Sequence, residues 1–313
     1  MSAQAVSVGG LSLKNPVLVA SGTFGYGREF APLFDLSRLG GIMVKGVSVT
    51  PWAGNAGVRV AETESGMLNA IGLQNPGLQH FLDVDWPWLR RFDTAVVVNV
   101  VGHSVAEYVA VTEAVTAAGV GAVELNVSCP NIADGLVFGT DERALFGLVS
   151  AVRKVTALPL IVKLSPNTSG PLPYARAAVE AGADALSLIN TVLGVAIDRN
   201  SGQTVLGNRT GGLSGPAIRP IALRFVLEVA AALPVDLIGM GGIATAQDAV
   251  SFLQAGAGAV AVGTALFRDP WTALRIIDEL PAALSTAGYQ TVDEAVGRAV
   301  RQERERRDGR GRS

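Results

Sequence analysis

Short runs rich in Val, Ile and Leu recur along the chain and alternate with segments whose apolar residues have helical spacing. Each run is almost continuously apolar, which is typical of parallel strands that are buried on both faces. The segments between the runs, such as DERALFGLVSAVRKV, repeat apolar residues every three or four positions, as an amphipathic helix does. The eight runs are PVLVAS (16–21), GIMVKG (41–46), AVVVNV (95–100), AVELNVS (122–128), PLIVKLS (159–165), ALSLINT (185–191), DLIGMGG (236–242) and AVAVGTAL (259–266).

Eight strand–helix repeats predict an α/β protein with a closed (β/α)8 barrel, the TIM-barrel fold. A doubly wound sheet is the competing fold, but it usually has fewer strands. The segment VSVGGLSLKNP precedes the first run and predicts an N-terminal hairpin that closes the bottom of the barrel. Two long connections, 47–94 and 192–234, follow predicted strands and are therefore expected at the C-terminal face. We predict one domain over 1–300 and a charged, disordered tail over 301–313.

The composition favours a globular protein over a nucleic-acid-binding or membrane protein. Hydrophobic residues make up 49% of the 313 residues, and the formal net charge is −2, so the chain offers no basic surface for nucleic acid. No apolar run approaches the roughly 20 residues that a membrane helix needs. The first residues do not have the pattern of a signal peptide, which predicts a cytoplasmic location. A single cysteine excludes an intrachain disulfide and a self-contained iron–sulfur cluster.

Polar residues interrupt the apolar runs close to their C-terminal ends. A single polar side chain there could merely hold a neighbouring loop. In a barrel, however, all of these strand ends meet at one mouth, which predicts a pocket lined by hydrogen-bond donors and acceptors. The residues concerned are Lys45, Asn99, Asn126, Lys163, Asn190 and Thr191.

Glycines mark the ends of the seventh and eighth runs, in GMGGIA and AVGTAL. They allow backbone N–H groups to approach an anion, and the loops after these two strands often bind phosphate in barrel enzymes. GMGGIA also fits the dinucleotide fingerprint G-x-G-x-x-A, but no acidic residue follows about 20 positions later to bind a ribose. We therefore predict a phosphate site.

Cys129 lies in ELNVSCPN (124–131), where Pro130 ends the fourth run. A lone cysteine is more often a small buried hydrophobic residue, but a position at the barrel mouth favours a chemical role. The two histidines, His80 and His103, have no metal-ligand spacing, so no metal site is predicted. A Cys–His dyad with His103 stays open as an alternative.

Eight motifs, taken together and in order, resemble the class 1 dihydroorotate dehydrogenases from residue 6 to residue 285. The resemblance implies an FMN-containing barrel that oxidises dihydroorotate to orotate in pyrimidine (UMP) biosynthesis. It also implies that Cys129 is the catalytic base, a position at which the membrane-associated class 2 enzymes use serine. The motifs are ASGTFGYG, MVKG, GMLNAIGLQNPG, NVSCPN, VKLSPN, INT, GMGGI and VGTAL.

The same resemblance implies the residues that bind cofactor and substrate. FMN would contact Ser21, Lys45, Gly46, Asn99, Asn126, Lys163 and Ile189. Its phosphate would lie among Gly215, Gly241, Gly242, Gly263 and Thr264. Dihydroorotate would be held by Lys45, Asn69, Ala70, Ile71, Gly72, Leu73, Asn126, Asn131, Asn190 and Thr191. The positive charge of Lys163 is expected to stabilise the reduced flavin.

ASGTFGYG and NAIGLQNPG are similar to the class 1B form, whose catalytic subunit pairs with a subunit that carries FAD and a [2Fe-2S] cluster and reduces NAD. The resemblance thus implies a homodimer of this chain joined to that partner in a heterotetramer, without nucleic acid or membrane. A fumarate-dependent class 1A enzyme and a dihydropyrimidine dehydrogenase subunit are alternatives. A phosphosugar isomerase or aldolase that uses Lys163 and a non-catalytic flavin-binding module are alternatives from other classes.

Overall fold

A computed structural model describes residues 4–127 and 138–310 of the chain. The strands follow the predicted runs, with additional strands in the two long connections. They are β1 (Val6–Val8), β2 (Leu11–Leu13), β3 (Val17–Val19), β4 (Gly41–Met43), β5 (Val60–Thr63), β6 (Gly66–Asn69), β7 (Ala95–Val100), β8 (Ala122–Asn126), β9 (Leu160–Lys163), β10 (Ala185–Leu188), β11 (Val192–Val195), β12 (Thr210–Ser214), β13 (Asp236–Met240) and β14 (Ala259–Val262).

The helices lie mainly between the barrel strands, and several are short. A π-helical turn, Phe81–Asp85, joins α1 to α2, and 3-10 turns cover Leu36–Arg38 and Pro216–Ile218. The α-helices are α1 (Leu78–His80), α2 (Trp86–Leu89), α3 (Val105–Ala117), α4 (Glu142–Arg153), α5 (Leu172–Glu180), α6 (Arg219–Ala232), α7 (Ala246–Ala255), α8 (Ala265–Arg268), α9 (Thr272–Thr286), α10 (Val292–Ala295) and α11 (Arg298–Arg310). No helix in the described part of the chain is both long and apolar enough to cross a membrane.

Eight parallel strands close into a barrel in the order β3-β4-β7-β8-β9-β10-β13-β14, which confirms the predicted TIM barrel. Each strand begins within one residue of its predicted run, but most end two to four residues earlier. The early ends have a physical reason, because most runs end in glycines or polar residues that leave the ladder at the mouth. In AVAVGTAL, the last two residues begin α8. The residues expected to bind ligands therefore follow the strands or occupy their last positions.

Successive side chains of the barrel strands point alternately inward and outward, and the apolar ones form two separate layers. Residues that point outward, such as Val98 and Leu125, pack against the surrounding helices. Residues that point inward, such as Val97 and Ile161, form a separate cluster inside the barrel together with hairpin residues such as Leu11. The lower half of the barrel is therefore a packed apolar core, as is usual for this fold.

The antiparallel hairpin β1–β2 closes the bottom of the barrel, as predicted. Its turn is Gly9-Gly10, and both residues have positive φ angles, 56° and 84°, which glycine adopts without steric strain. The backbone N–H of Gly9 donates to Asp236 Oδ2 at 2.7 Å, at the first residue of β13. This hydrogen bond joins the hairpin turn to the barrel.

The two long connections form an antiparallel sheet in the order β11-β12-β6-β5, which the sequence did not predict. Segments such as TGGLS and GMLN have neither the length nor the apolar content of a typical strand. Their stability comes from pairing across the two connections, for example Gly212 opposite Asn69. A β-carbon at Gly212 would overlap Thr191 Oγ1, so this sheet lies directly against the residue that follows β10.

The C-terminal segment differs from the disordered tail expected over 301–313, because α11 continues to Arg310. Arg301 donates to the carbonyl oxygens of Val296 at 2.6 Å and Glu294 at 2.9 Å, and Arg304 donates to that of Ala231 at 3.1 Å. These acceptors lie at the C-terminal ends of α10 and α6, where unpaired carbonyls favour cations. Residues 311–313 lie outside the described residues.

The N-terminus of α7, which follows the Gly241–Gly242 turn, is held by a capping box between Thr245 and Asp248. Asp248 Oδ2 accepts hydrogen bonds from the backbone N–H groups of Ala244 at 3.0 Å and Thr245 at 3.1 Å. Its other oxygen pairs with the guanidinium of Arg219 on α6. One carboxylate therefore holds both the cap of α7 and the contact with α6.

Replacing Asp248 by alanine should lower the free energy of unfolding by about 2 kcal/mol, because it removes the cap and leaves the Arg219 guanidinium without its partner. Thr245→Ala should cost about 1 kcal/mol, the usual value for an N-cap hydroxyl. The measurement is equilibrium urea unfolding. Gln247→Ala, an exposed position in the same turn, is the control and should change stability by less than about 0.5 kcal/mol. Equal midpoints for Asp248→Ala and Gln247→Ala would contradict this prediction.

Candidate active site

The predicted polar residues converge at the C-terminal mouth of the barrel. Parallel pairing places Asn126 opposite Lys163 on neighbouring strands. Asn99 and Lys163 have the inward direction of Val97 and Ile161, which lie two residues before them in the interior cluster. All three are buried, with exposures of 1%, 6% and 7% for Asn99, Asn126 and Lys163. The structure thus brings together side chains that are far apart in sequence.

A chain of hydrogen bonds joins the amide side chains of the mouth. Asn126 Nδ2 donates to Asn99 Oδ1 at 3.5 Å, and Asn190 Nδ2 donates to Asn126 Oδ1 at 3.3 Å. At the lower end of the chain, Asn99 Nδ2 donates to Glu124 Oε2 at 2.5 Å. Ser187 Oγ donates to the other oxygen of Glu124 at 2.6 Å. The amides are therefore held in fixed positions by buried partners.

Glu124 is the site residue that the sequence reading missed. It is fully buried and lies between Asn99 and Ser187. The signal was present, because a glutamate within the apolar run AVELNVS has the same inward direction as Ala122. A charged residue is almost never fully buried without partners, so its position in that run required an explanation.

Lys163 is a buried cation with little compensation from the part of the chain that the structure describes. Its Nζ lies 3.5 Å from Ser21 Oγ, and this is its only hydrogen bond among the described residues. An ammonium group that has left water requires hydrogen-bond acceptors or negative charge nearby. The mouth beside Lys163 is therefore suited to an electron-rich or anionic ligand.

Lys45 is a second lysine at the mouth and is half-buried. Burial lowers the pKa of Lys45, while Glu29 acts in the opposite direction and Arg59 adds to the lowering. Its backbone N–H donates to the carbonyl of Gly25 at 2.9 Å, which fixes the chain where it leaves β4. The side chain therefore faces a partly desolvated mouth from a well-anchored backbone.

Three glycine-containing strand ends form a cradle at the C-terminal face of the barrel. Gly215, Gly241 and Gly242 have positive φ angles of 94°, 123° and 77°. A β-carbon at Gly242 would lie 2.7 Å from the carbonyl oxygen of Gly215, so the two turns are in contact. Thr264 Oγ1 donates to Ser214 Oγ at 2.8 Å, which links the end of β14 to the same group.

Backbone N–H groups of this cradle are available as hydrogen-bond donors. Among the described residues, no backbone hydrogen bond uses the N–H groups of Gly242, Gly263 or Thr264, which are partly exposed. Gly263 has no positive φ angle, and a β-carbon there would meet Ala20 Cβ at 3.5 Å, an ordinary contact. Neither conformation nor protein packing requires a glycine at this position. A phosphate that approaches the backbone would require one, so the cradle fits a phosphate-bearing cofactor.

The segment Asn69–Leu73, predicted to hold substrate, is fixed beside the mouth by the added sheet. Asn69 Nδ2 donates to the carbonyl of Gly212 at 3.1 Å. Asn55 holds the next residues through its contacts with the carbonyls of Ala70 and Ile71, both at 3.0 Å. Gly72 and Leu73 turn the chain with positive φ angles, 73° and 51°.

The remaining predicted residues fall into two groups. Ser21 and Ile189 are buried, Gly46 accepts from Tyr26 Oη at 3.5 Å, and Thr191 lies against Gly212. Ile189 is fixed by its N–H bond to Met240 at 2.9 Å. Cys129 and Asn131 lie outside the described residues, so their roles stay predictions.

The two histidines each contact a neighbouring side chain. The ring of His103 stacks on Trp52 with centroids 4.2 Å apart. His80 Nε2 lies 3.6 Å from Asp85 Oδ2. Over residues 4–127 and 138–310, no cluster of three His, Cys, Asp or Glu side chains has a metal-binding arrangement.

Comparison with known proteins identifies the family. A model of the family "Dihydroorotate dehydrogenase" matches residues 3–284. The protein named "Dihydroorotate dehydrogenase B (NAD(+)), catalytic subunit" from Bacillus pumilus (strain SAFR-032) is 51% identical over 300 residues, which is 95% of this chain and 97% of that protein. Its counterpart from Geobacillus kaustophilus (strain HTA426) is 50% identical over 96% of both chains.

A solved structure supports the fold independently. The crystal structure of DHODH in complex with ferulenol from Eimeria tenella superposes with a TM-score of 0.77, at 24% identity, over 95% of this chain and 89% of that chain. This likeness concerns the fold, whereas the family match and the two bacterial relatives cover nearly the whole sequence. The chain belongs to the dihydroorotate dehydrogenase family.

Proposed function

We propose that this chain is the FMN-dependent catalytic subunit of a class 1B dihydroorotate dehydrogenase, which oxidises dihydroorotate to orotate in pyrimidine biosynthesis. The observation that carries the proposal is the buried row of amides beside Lys163 at the barrel mouth. Such a row presents alternating donors and acceptors, which match a ring that alternates carbonyl and N–H groups. Relatives named catalytic subunits of the B form, about half identical, support the class.

The chain's own residues would hold the cofactor by charge and backbone donors. The N–H groups of Gly242, Gly263 and Thr264 would bind its phosphate, and Lys163 would place a positive charge beside its ring system. When bound, FMN supplies a two-electron acceptor for hydride. Residues 1–300 would form one FMN-binding domain in this proposal.

The substrate would be held between the amide row and the added sheet. Asn126 and Asn190 would bind its carbonyl and N–H groups, and Lys45 would bind its carboxylate. The segment Asn69–Leu73 and Thr191 would cover the site from the side of the sheet. A cover of this kind excludes water, which strengthens each of these polar contacts.

Oxidation of the ring requires that a proton leaves one carbon while hydride leaves its neighbour. We assign the proton to Cys129 Sγ, from the sequence resemblance. A thiolate is an effective base when its surroundings lower the pKa of the thiol. Cys129 and Asn131 come after β8 in the sequence, and in this proposal both would contact the substrate.

Electrons must leave the barrel, and this chain has one cysteine. Four cysteine thiolates usually hold a [2Fe-2S] cluster. We therefore propose a separate partner subunit that carries FAD and a [2Fe-2S] cluster and passes electrons to NAD. A homodimer of this chain with that partner would form a heterotetramer in the cytoplasm. The class 1A, dihydropyrimidine and phosphosugar alternatives are not favoured by the relatives' names.

The function is tested by anaerobic addition of dihydroorotate to the FMN-loaded chain. The flavin absorbance near its visible maximum should bleach, and artificial dyes should restore it. The chain alone should hardly reduce NAD, and a co-expressed FAD and iron–sulfur partner should restore NAD reduction. A flavin that stays oxidised with dihydroorotate would contradict the activity. Efficient NAD reduction by the isolated chain would contradict the partner, and rapid reoxidation by fumarate would indicate class 1A.

Replacing Cys129 by alanine should slow flavin reduction about 100-fold or more, the usual contribution of a positioned general base. FMN and orotate binding should be largely unchanged, because the amides and the cradle remain. Cys129→Ser should also be slow at neutral pH, because a hydroxyl is far less acidic than a thiol. Stopped-flow absorbance gives the rate, and wild-type rates in Cys129→Ala would remove Cys129 from the mechanism.

The phosphate cradle can be tested at Gly263, where a β-carbon fits the protein. Gly263→Ala should fold normally but purify with less than about a tenth of the wild-type FMN, because the methyl group would occupy the space of the phosphate. Gly241→Ala is the contrast, since its β-carbon would lie 2.9 Å from Ala222 Cβ and its φ angle is positive. That variant should lose stability as well as FMN. Full FMN occupancy in Gly263→Ala would place the phosphate elsewhere.

A further inference from the structure

Glu124 has no evident packing role, although it is fully buried inside the barrel. On its own strand Glu124 lies two residues after Ala122, an inward-pointing residue of the apolar interior cluster. A buried carboxylate lowers stability unless hydrogen bonds compensate it, and an apolar side chain of similar size usually costs less. The reason for a charge at this position must therefore lie in the groups that it binds.

In the hydrogen bond between Glu124 and Asn99, only Asn99 can be the donor. A side-chain amide has a donor end and an acceptor end, whereas a carboxylate only accepts. Glu124 Oε2 at 2.5 Å therefore requires that Asn99 turns Nδ2 toward it and Oδ1 away from it. Ser187 can donate to Oε1 at 2.6 Å without affecting this orientation.

The orientation of the Asn99 amide determines the orientation of the next amide in the series. Since Asn99 presents Oδ1, Asn126 must present Nδ2 to it, at 3.5 Å. Asn126 then presents Oδ1 to Asn190 Nδ2, at 3.3 Å. Asn190 Oδ1 completes the series by accepting from the backbone N–H of Thr191 at 2.9 Å. Hydrogen-bonded series of this kind reinforce one another in a buried site.

We propose that Glu124 is a positioning residue that sets the donor and acceptor orientation of Asn99, Asn126 and Asn190, and through them the substrate edge that the mouth accepts. The inference rests on the proposed function, in which Asn126 and Asn190 hold dihydroorotate. A glutamine at position 124 has a donor as well as an acceptor end. It would allow Asn99 to turn either way. The series would then be oriented only from its Thr191 end, through the long contacts of 3.3 Å and 3.5 Å that join Asn190, Asn126 and Asn99.

The test compares FMN-loaded wild type with Glu124→Gln. Glu124→Gln should raise the orotate Kd, followed by the change in flavin absorbance, at least about tenfold, the effect of leaving polar groups mispaired. The KM for dihydroorotate should rise in parallel. The kcat at saturating substrate should stay within about threefold, as expected when only uniform binding is lost. Ser187→Ala is the matched control, because it removes the other bond of the same carboxylate. It should keep the orotate Kd within about threefold.

The outcomes separate this proposal from the function on which it rests. Wild type that does not bind orotate contradicts the proposed function before any substitution is made. If wild type binds, an orotate Kd for Glu124→Gln within twofold of wild type overturns the role of Glu124, and so does an equal loss in Ser187→Ala.

A measurement on the wild-type protein covers the case in which Glu124→Gln does not fold. Neutron diffraction locates the deuterons of each side-chain amide directly. Deuterons on Asn99 Nδ2 facing Glu124, and on Asn126 Nδ2 facing Asn99, support the proposal. A reversed amide at Asn99 or Asn126 overturns it.

Discussion

Closure of the parallel barrel is the constraint on which the site depends. Each strand pairs with two neighbours, so the residues at the carboxyl ends of all eight strands face one mouth. The alternation of inward and outward residues then selects which of them enter it. Val97 and Ile161 lie in the apolar core, and two residues further along each strand Asn99 and Lys163 enter the polar layer. A shift of pairing by one residue would turn both to the helix side.

The polar layer carries two buried charges, Glu124 on β8 and Lys163 on β9. They lie on neighbouring strands, since Asn126 pairs with Lys163 two residues after Glu124. Within residues 4–127 and 138–310, the carboxylate has two short hydrogen bonds, whereas the ammonium group has one long contact. The two charged groups therefore differ in where their stabilising partners come from. Glu124 is satisfied within the protein, and Lys163 is suited to a bound electron-rich group.

The barrel could be predicted from the sequence because its strands are buried on both faces and leave continuous apolar runs. The sheet of β5, β6, β11 and β12 could not, because its strands are short and partly exposed and depend on pairing between segments about 140 residues apart, such as Asn69 and Gly212. The C-terminal helix was missed for a related reason, since Arg304 is stabilised by a carbonyl of α6. The composition of a segment does not indicate partners that are so distant in the sequence.

In the site as well, some features could be predicted from the sequence and others could not. Polar residues at strand ends were recognisable because they interrupt apolar runs, and Glu124 interrupts one as well. Their hydrogen-bond partners were not recognisable, since these depend on register across four strands, β7 to β10. Cys129 and Asn131 rest on the resemblance alone and stay predictions.

Glycine serves two distinct purposes around the mouth, and the difference decides how the site is held together. Gly212 and Gly242 are required by the protein itself, because a β-carbon would overlap Thr191 at the first and the Gly215 carbonyl at the second. These contacts join the added sheet and the glycine turn to the barrel through backbone rather than through adjustable side chains. Gly263 has no such neighbour among the described residues. In the proposed function, the missing side chain at Gly263 would leave room for the phosphate of the cofactor, beside contacts that the protein itself fixes.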